Sequence, residues 1–381
     1  MKPAPPPKPK RVLMTADTIG GVWTYALELA RALAEHNVQV ALATMGNPLS
    51  RDQRRETKSL RNLEVFESSY KLEWMDNPWN DVSRAGNWLL ELESRVQPDL
   101  VHLNGFAHGA LPFRTPKLVV GHSCVSSWWK AVKNDEAPGD WNAYREVVRA
   151  GLQSAHLVVA PSKAMLDCLN HYYGPITGRV IYNGRDPSLF HPGRKEELIL
   201  AAGRLWDEAK NIAALSKAAP AVPWTIYVAG DSKHPNGTVM RDKHLCFLGK
   251  LPPNVLAKWF SKSSIYAFPA RYEPFGLSVL EAGLSGCALV LGNIPSLREI
   301  WNGAAIFVSP DDPDELAATL SHLTQNLFRR KELATYAQCR AIQLTPQHMA
   351  GEYMAAYTEL LSSTRPPQST TTHSPEVTCA S

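Results

Sequence analysis

No apolar run in this chain approaches the roughly 20 residues that a membrane-spanning helix needs, which excludes such a helix. Cysteine is scarce and scattered: Cys124, Cys168, Cys246, Cys287, Cys339 and Cys379 form no C-x-x-C pair. Neither a zinc site nor a disulfide framework is expected, and the pattern fits a reducing compartment with most thiols acting as small buried hydrophobes. An excess of charge of one sign is missing too. The formal net charge is +4 over 381 residues, which a few Lys and Arg in phosphate sites account for, so no nucleic-acid partner is implied. A G-x-G-x-x-G run is absent, which counts against a dinucleotide-binding first domain. Residues 1–10 are rich in Pro and Lys and lead into no apolar segment, so they read as a flexible extension rather than a secretory signal. The expected location is cytoplasmic, with weak peripheral contact of those lysines at the inner face of an anionic membrane as the alternative.

What is present is ordinary globular material, 44% hydrophobic and 20% charged, in a length that suits two domains. Residues 11–16 read as a strand, followed by a Gly20-Gly21 loop, a helical pattern over 22–35 and a second strand over 38–43. That order is a βαβ unit, whose parallel pairing needs a right-handed crossover. Strands are expected at 100–103, 118–120, 156–160 and 180–182, with helices at 144–153 and 163–170. A breaker-rich linker at 183–194 separates this half from a second. There the strands fall at 198–201, 225–229, 246–248, 265–268, 288–291 and 305–308, and helices at 254–261, 274–284 and 314–327. A last helix spans 347–361. The fold class is therefore α/β, two doubly wound Rossmann-like domains facing across a cleft. The expected divisions are 11–190, 195–345, a C-terminal helix at 346–361 that packs back on the first domain, and a disordered Ser/Thr/Pro-rich tail at 362–381.

Residues 271–286, RYEPFGLSVLEAGLSG, carry the most chemistry. A strand ends at Pro269, Glu273 follows, and Pro274 sits where a first helical residue belongs. The amides of Gly276 and Leu277 then point out of a helix N-terminus, whose partial positive charge suits a diphosphate. Gly276 has no side chain to hold a phosphate off the backbone. Glu281 lies roughly 12 Å of helical rise beyond Glu273, and its side chain leans back toward the first turns. One carboxylate beside a transferred sugar and one beside the ribose diol match the span of a sugar nucleotide. The blander reading is a buried helix with two incidental glutamates; Pro274, Gly276 and the preceding strand weigh against it.

EPFGLSVLEAGLSG resembles the Glu-x7-Glu signature of the retaining GT-B glycosyltransferases, the family 4 or group 1 hexosyltransferases, and the resemblance runs from Arg11 to about Leu361. It implies that Glu273 lies by the donor sugar, that Glu281 binds the ribose, and that the amides around Pro274, Phe275, Gly276 and Leu277 hold the diphosphate. Gly203-Arg204-Leu205 with Lys210-Asn211 is similar to the family's cationic element, so Arg204 and Lys210 are expected to clamp the diphosphate and stabilise charge on the leaving phosphate without a metal or other cofactor. One more residue separates these cations than the family usually has. Gly20 and Gly21 resemble its N-terminal glycine loop, His122 its histidine near the 6-hydroxyl of the transferred sugar, and Leu248-Gly249-Lys250 its base-binding loop. Asn183-Gly184-Arg185-Asp186 resembles a junction motif and reads as structural. Cys287 replaces the usual proline, with packing consequences only. Trp128, Trp129 and Trp141 read as core residues before acceptor-stacking ones.

The implied function is retaining transfer of a hexose from a nucleotide-diphosphate sugar to a glycan, lipid-linked or small-molecule acceptor, as in polysaccharide biosynthesis. The expected catalytic residues are Glu273, His122, Arg204 and Lys210. A non-hydrolysing nucleotide-sugar epimerase and a non-catalytic nucleotide-sugar-binding protein are the alternatives. A glycosidase with Glu273 and Glu281 as acid and base is disfavoured, because their separation exceeds the retaining spacing.

Overall fold

The computed structural model of the chain describes residues 7–233 and 239–363. Most of the expected N-terminal extension and nearly all of the expected tail lie outside the described residues. The first sheet contains β1 (Arg11–Asp17), β2 (Gln39–Met45), β3 (Leu63–Glu67), β4 (Leu100–Leu103), β5 (Lys117–Val120), β6 (Leu157–Ala160) and β7 (Gly178–Val180). The second contains β8 (Glu196–Ala202), β9 (Thr225–Ala229), β10 (Cys246–Gly249), β11 (Ser263–Phe268), β12 (Ala288–Gly292) and β13 (Ile306–Val308). Their orders are β3-β2-β1-β4-β5-β6-β7 and β10-β9-β8-β11-β12-β13. All strand pairings within both sheets are parallel. These are the two doubly wound domains read from the sequence.

Central strands are apolar along their whole length because helices cover both faces of each sheet. Every residue of β4, β5, β6, β11 and β12 is buried. Alternate residues feed opposite layers: Val12 and Met14 join one core cluster and Leu13 another, as do Leu200 and Ile199 in the second domain. Both sheets wind outward in one direction and then the other. The crevice at each reversal, between β1 and β4 and between β8 and β11, is where an open α/β sheet binds ligands. Asp17 and Asn104 sit at the first reversal, Gly203 and Arg204 at the second.

The chain crosses back at its end. Helix Pro346–Ser363 places Met349, Tyr353, Tyr357 and Leu360 in the core of the first domain beside Val12, Tyr25 and Leu29. Two local expectations are corrected. The helix expected from Pro274 begins at Leu277, because Pro274 and Phe275 form a turn and Gly276 takes a left-handed φ of 91° as the cap. The third strand and several helices, Arg51–Lys58, Trp79–Val96 and Leu327–Ala341 among them, were not legible in advance.

Candidate active site

The cleft is built from strand ends. On the second domain, Gly203 follows β8, Gly230 follows β9 and Gly249 ends β10, linked by Gly203 N–H to Ala229 O (3.0 Å) and Gly230 N–H to Gly249 O (2.9 Å). A Cβ on Gly230 would meet Gly203 O at 1.7 Å, so the edge closes only with glycine there; a Cβ on Gly249 would meet nothing. Leu248 and Gly249 thus end at an open rim.

Glu273 organises the turn ahead of helix Leu277–Leu284. Its Oε1 accepts from Gly276 N (3.0 Å) and more weakly from Phe275 N (3.4 Å), and its Oε2 pairs with Lys210 Nζ at 2.7 Å. This corrects one expectation: the Gly276 amide is not free for a phosphate, because Glu273 reaches back to it as an internal cap. The Leu277 amide at the first helical position has no such partner among the described residues. The buried Tyr266 hydroxyl donates to Ala202 O (3.1 Å) and lies 2.8 Å from Ser278 Oγ, and it feels the charge of both glutamates.

Arg204 is 41% exposed on its side chain and pairs with Asp207 at 3.1 Å. Asp207 is itself fixed by Ala209 N (3.0 Å) and by Trp128 Nε1 (3.1 Å) from the first domain. Lys210 is only 12% exposed and already neutralised by Glu273. Two cations of different availability therefore flank the helix start.

Glu281 is 9% exposed, and Arg185 Nε lies 2.8 Å from its Oε1. Burial pushes its carboxyl pKa up and Arg185 pulls it back. The same guanidinium lies 2.6 Å from Glu28 Oε1 on helix Gly21–Leu33, so one arginine ties the linker, the first domain and the Leu277 helix together. One oxygen of Glu281 is therefore committed to Arg185, and Oε2 has no partner among the described residues. Arg185 belongs to the junction motif read as structural, but its pairing with Glu281 left no mark in the spacing.

Across the cleft, Gly20 has φ 95° and open space at its Cβ position, and a Cβ on Gly21 would touch Leu277 Cδ1 at 3.5 Å. The glycine loop therefore faces the helix start directly. Pro274 O accepts from Ser162 Oγ (2.7 Å), and Tyr272 OH lies 2.8 Å from Ser127 Oγ. His122 lies just past the end of β5; its Nε2 is 2.8 Å from Asn104 Oδ1, and Tyr25 packs edge-on at 4.6 Å. Burial pushes the His122 pKa down to about 3, so the ring is neutral at ordinary pH. The structure brings Gly20, Gly21, Arg204, Lys210, Glu273 to Leu277 and Glu281 to one interdomain region, with His122 at a strand end opposite.

Asp17 was missed in the sequence. It ends β1, accepts from Ile19 N at 2.6 Å and feels Arg204 from across the cleft. An acid just ahead of a glycine loop was the available signal. Trp128 donates to Asp207 across the interface, a role neither core nor stacking. Among the described residues no group of three or more His, Cys, Asp or Glu is placed to hold a metal ion, and no helix is long and apolar enough to cross a membrane.

Comparison with known proteins identifies the family and the fold. The family model described as Glycosyltransferase Family 4 matches residues 19–189, and that described as Glycosyl transferases group 1 matches 196–326. An O-antigen chain mannosyltransferase B from Escherichia coli is 32% identical over 87 residues, 23% of this chain and 22% of its own length. A D-inositol 3-phosphate glycosyltransferase from Corynebacterium glutamicum is 24% identical over 73% of this chain and 76% of its own. The Anabaena HepE protein, solved in complex with UDP-glucose, superposes with a TM-score of 0.71 at 17% identity, covering 93% of this chain and 99% of that one. The chain belongs to the group 1, family 4 glycosyltransferases and has their GT-B fold.

Proposed function

We propose that the protein transfers a hexose from a nucleoside-diphosphate sugar to an acceptor hydroxyl with retention of anomeric configuration. The observation that carries this reading is the Lys210–Glu273 pair at the start of the Leu277 helix, with Arg204 beside it and the Gly20-Gly21 loop opposite. That start presents an amide, a helix dipole and two cations where a diphosphate leaves. UDP complexes of the Anabaena neighbour support a nucleotide-sugar donor, and the O-antigen relative supports a glycan acceptor.

In this reading the acceptor oxygen bonds to the anomeric carbon while the bond from that carbon to the β-phosphate oxygen breaks. The acceptor proton passes to the departing phosphate on the same face. Arg204 and Lys210 stabilise the charge that develops there, and their preorganisation supplies the stabilisation without a metal. Glu273 keeps Lys210 in place until the diphosphate competes for it. Glu281 Oε2 accepts from the ribose.

Thermal shift against UDP, GDP and ADP tests the donor seat, because ligand at a hundred times its dissociation constant adds roughly 2.7 kcal/mol of stability. Arg204→Ala is expected to lower turnover about a hundredfold, in the range seen when one transition-state donor is lost, and Glu281→Ala to weaken nucleotide binding. Wild-type turnover and affinity in both variants would end the assignment. Product NMR reads the anomeric configuration, and insensitivity of turnover to EDTA checks the metal-free reading. Epimerisation of a donor incubated alone would favour the epimerase.

A further inference from the structure

One buried network reaches the cleft with its proton positions fixed by geometry. Asn104 follows β4, and its Nδ2 donates to the Thr15 carbonyl at 2.7 Å while its backbone N–H donates to Thr15 Oγ1 at 2.8 Å. A carbonyl oxygen accepts only, so the amide atom facing Thr15 is nitrogen and the opposite atom is oxygen. That oxygen lies 2.8 Å from His122 Nε2 and 3.3 Å from His102 Nε2. An amide oxygen also accepts only, so His122 Nε2 carries the ring proton. His102 is compatible with the same scheme: its Nδ1 lies 2.7 Å from Tyr357 OH, a hydroxyl that can donate to it, and its Nε2 also lies 3.2 Å from Tyr25 OH. His122 is a neutral ring with one proton, and its Nδ1 has no hydrogen-bond partner among the described residues.

We infer that Asn104 is a positioning residue that locks His122 in the Nε2–H tautomer, leaving Nδ1 as a pure acceptor for a hydroxyl of the bound sugar. The inference rests on the donor-site reading above only for what occupies the acceptor; the tautomer stands on the network itself. Tyr357 belongs to the helix that returns from the second domain, so that crossing also supports the orientation of His102 behind Asn104. The sugar group opposite Nδ1 must then donate, and an analogue with fluorine in place of that hydroxyl is rejected.

Two measurements separate this inference from the donor assignment. Long-range proton–nitrogen spectra of the ¹⁵N-histidine-labelled full chain need no donor, with His122→Gln assigning the signal. The expected pattern is a protonated Nε2 and an unprotonated Nδ1 from about pH 5 to about pH 8, within the range where an ordinary histidine would titrate. An Nδ1–H ring, or a ring that titrates in that range, overturns the inference whatever the protein binds. The second uses the nucleotide found by thermal shift and its sugar donor. Asn104→Ala is expected to leave nucleoside-diphosphate affinity within about twofold while turnover falls roughly tenfold or more, the direction seen when a catalytic histidine loses the partner that sets its tautomer. Asn104→Asp places a carboxylate on Nε2, makes His122 titratable and gives turnover that falls as pH drops, which a merely structural residue would not do. Unchanged turnover in Asn104→Ala, or an unchanged pH profile in Asn104→Asp, overturns the positioning role. Should Asn104→Ala not fold, the wild-type spectrum and Asn104→Asp still decide. A protein that binds no nucleotide yet shows the Nε2–H ring would fail the donor reading alone.

Discussion

At the end of β1, Asp17 is held by one backbone amide at 2.6 Å, and burial pushes its carboxyl pKa up to about 7 despite the opposing field of Arg204. In the unfolded chain it titrates near 3.8. Between those values the folded state holds one more proton than the unfolded state, so stability falls as pH rises through that window and levels off above it. Asp17→Asn removes the ionisation while keeping the shape. Its stability advantage over the natural protein is expected to be near zero at about pH 4 and on the order of a few kcal/mol at about pH 8, as read by urea unfolding. An advantage that does not change with pH would mean an ordinary, solvated carboxyl. Binding of a phosphate near Arg204 is expected to push Asp17 further toward its protonated form, since an anion disfavours a second charge nearby. Motif spacing did not point to this residue because nothing in a lone acid reports its burial.

The element that positions the proposed donor seat is helix Leu277–Leu284, and its start is set by Gly276 at φ 91°. A side chain there would be strained and would stand 3.0 Å from Val279 Cγ2. Gly276→Ala is therefore expected to cost about 1–2 kcal/mol from the left-handed backbone alone. It should lower Tm by several degrees and weaken nucleotide binding, both readable in one thermal-shift titration. An unshifted Tm would show that the turn relaxes freely. Strand β3, LEVFE, was not anticipated because it is an edge strand with no buried residue and so lacks the apolar signature of β4 to β6. Helix Arg51–Lys58 is almost wholly polar and rests on a capping box between Ser50 and Gln53 rather than on an apolar stripe. Helix Leu327–Ala341 buries only Leu333, Ala337 and Ala341, too few for a clear periodicity.

Over the whole molecule, the two domains are tied by a few polar contacts around Arg185. Glu28 is 2% exposed, Arg185 8% and Glu281 9%, and burial raises the carboxyl pKa of both acids. Such a triad adds little net stability, but removing its cation leaves two buried carboxylates uncompensated. Arg185→Ala is expected to destabilise the fold by about 3–5 kcal/mol near neutral pH. The two acids would hold their protons higher than in the unfolded chain, so this loss should grow as pH rises from the carboxylate range toward neutrality. Chemical denaturation at two pH values checks it. A loss independent of pH would place the effect in packing against Phe190, over whose ring the guanidinium lies at 4.9 Å. Glu299 adds to the Trp128–Asp207, Ser162–Pro274 and Ser127–Tyr272 ties by accepting from the Lys163 and Ala164 amides at 2.7 and 3.0 Å.

The two parallel, doubly wound sheets and most of their strands were determined by the sequence, because apolar periodicity, proline and glycine act locally. Which atoms remain available was decided by the tertiary structure. Glu273 spends one oxygen on the Gly276 amide and one on Lys210, Glu281 shares an oxygen with Arg185, and Asn104 sets the proton on His122. Apart from the local Glu273–Gly276 cap, those pairings join residues far apart in the chain, and contacts whose partners come from different elements leave no periodic trace in the sequence that encodes them.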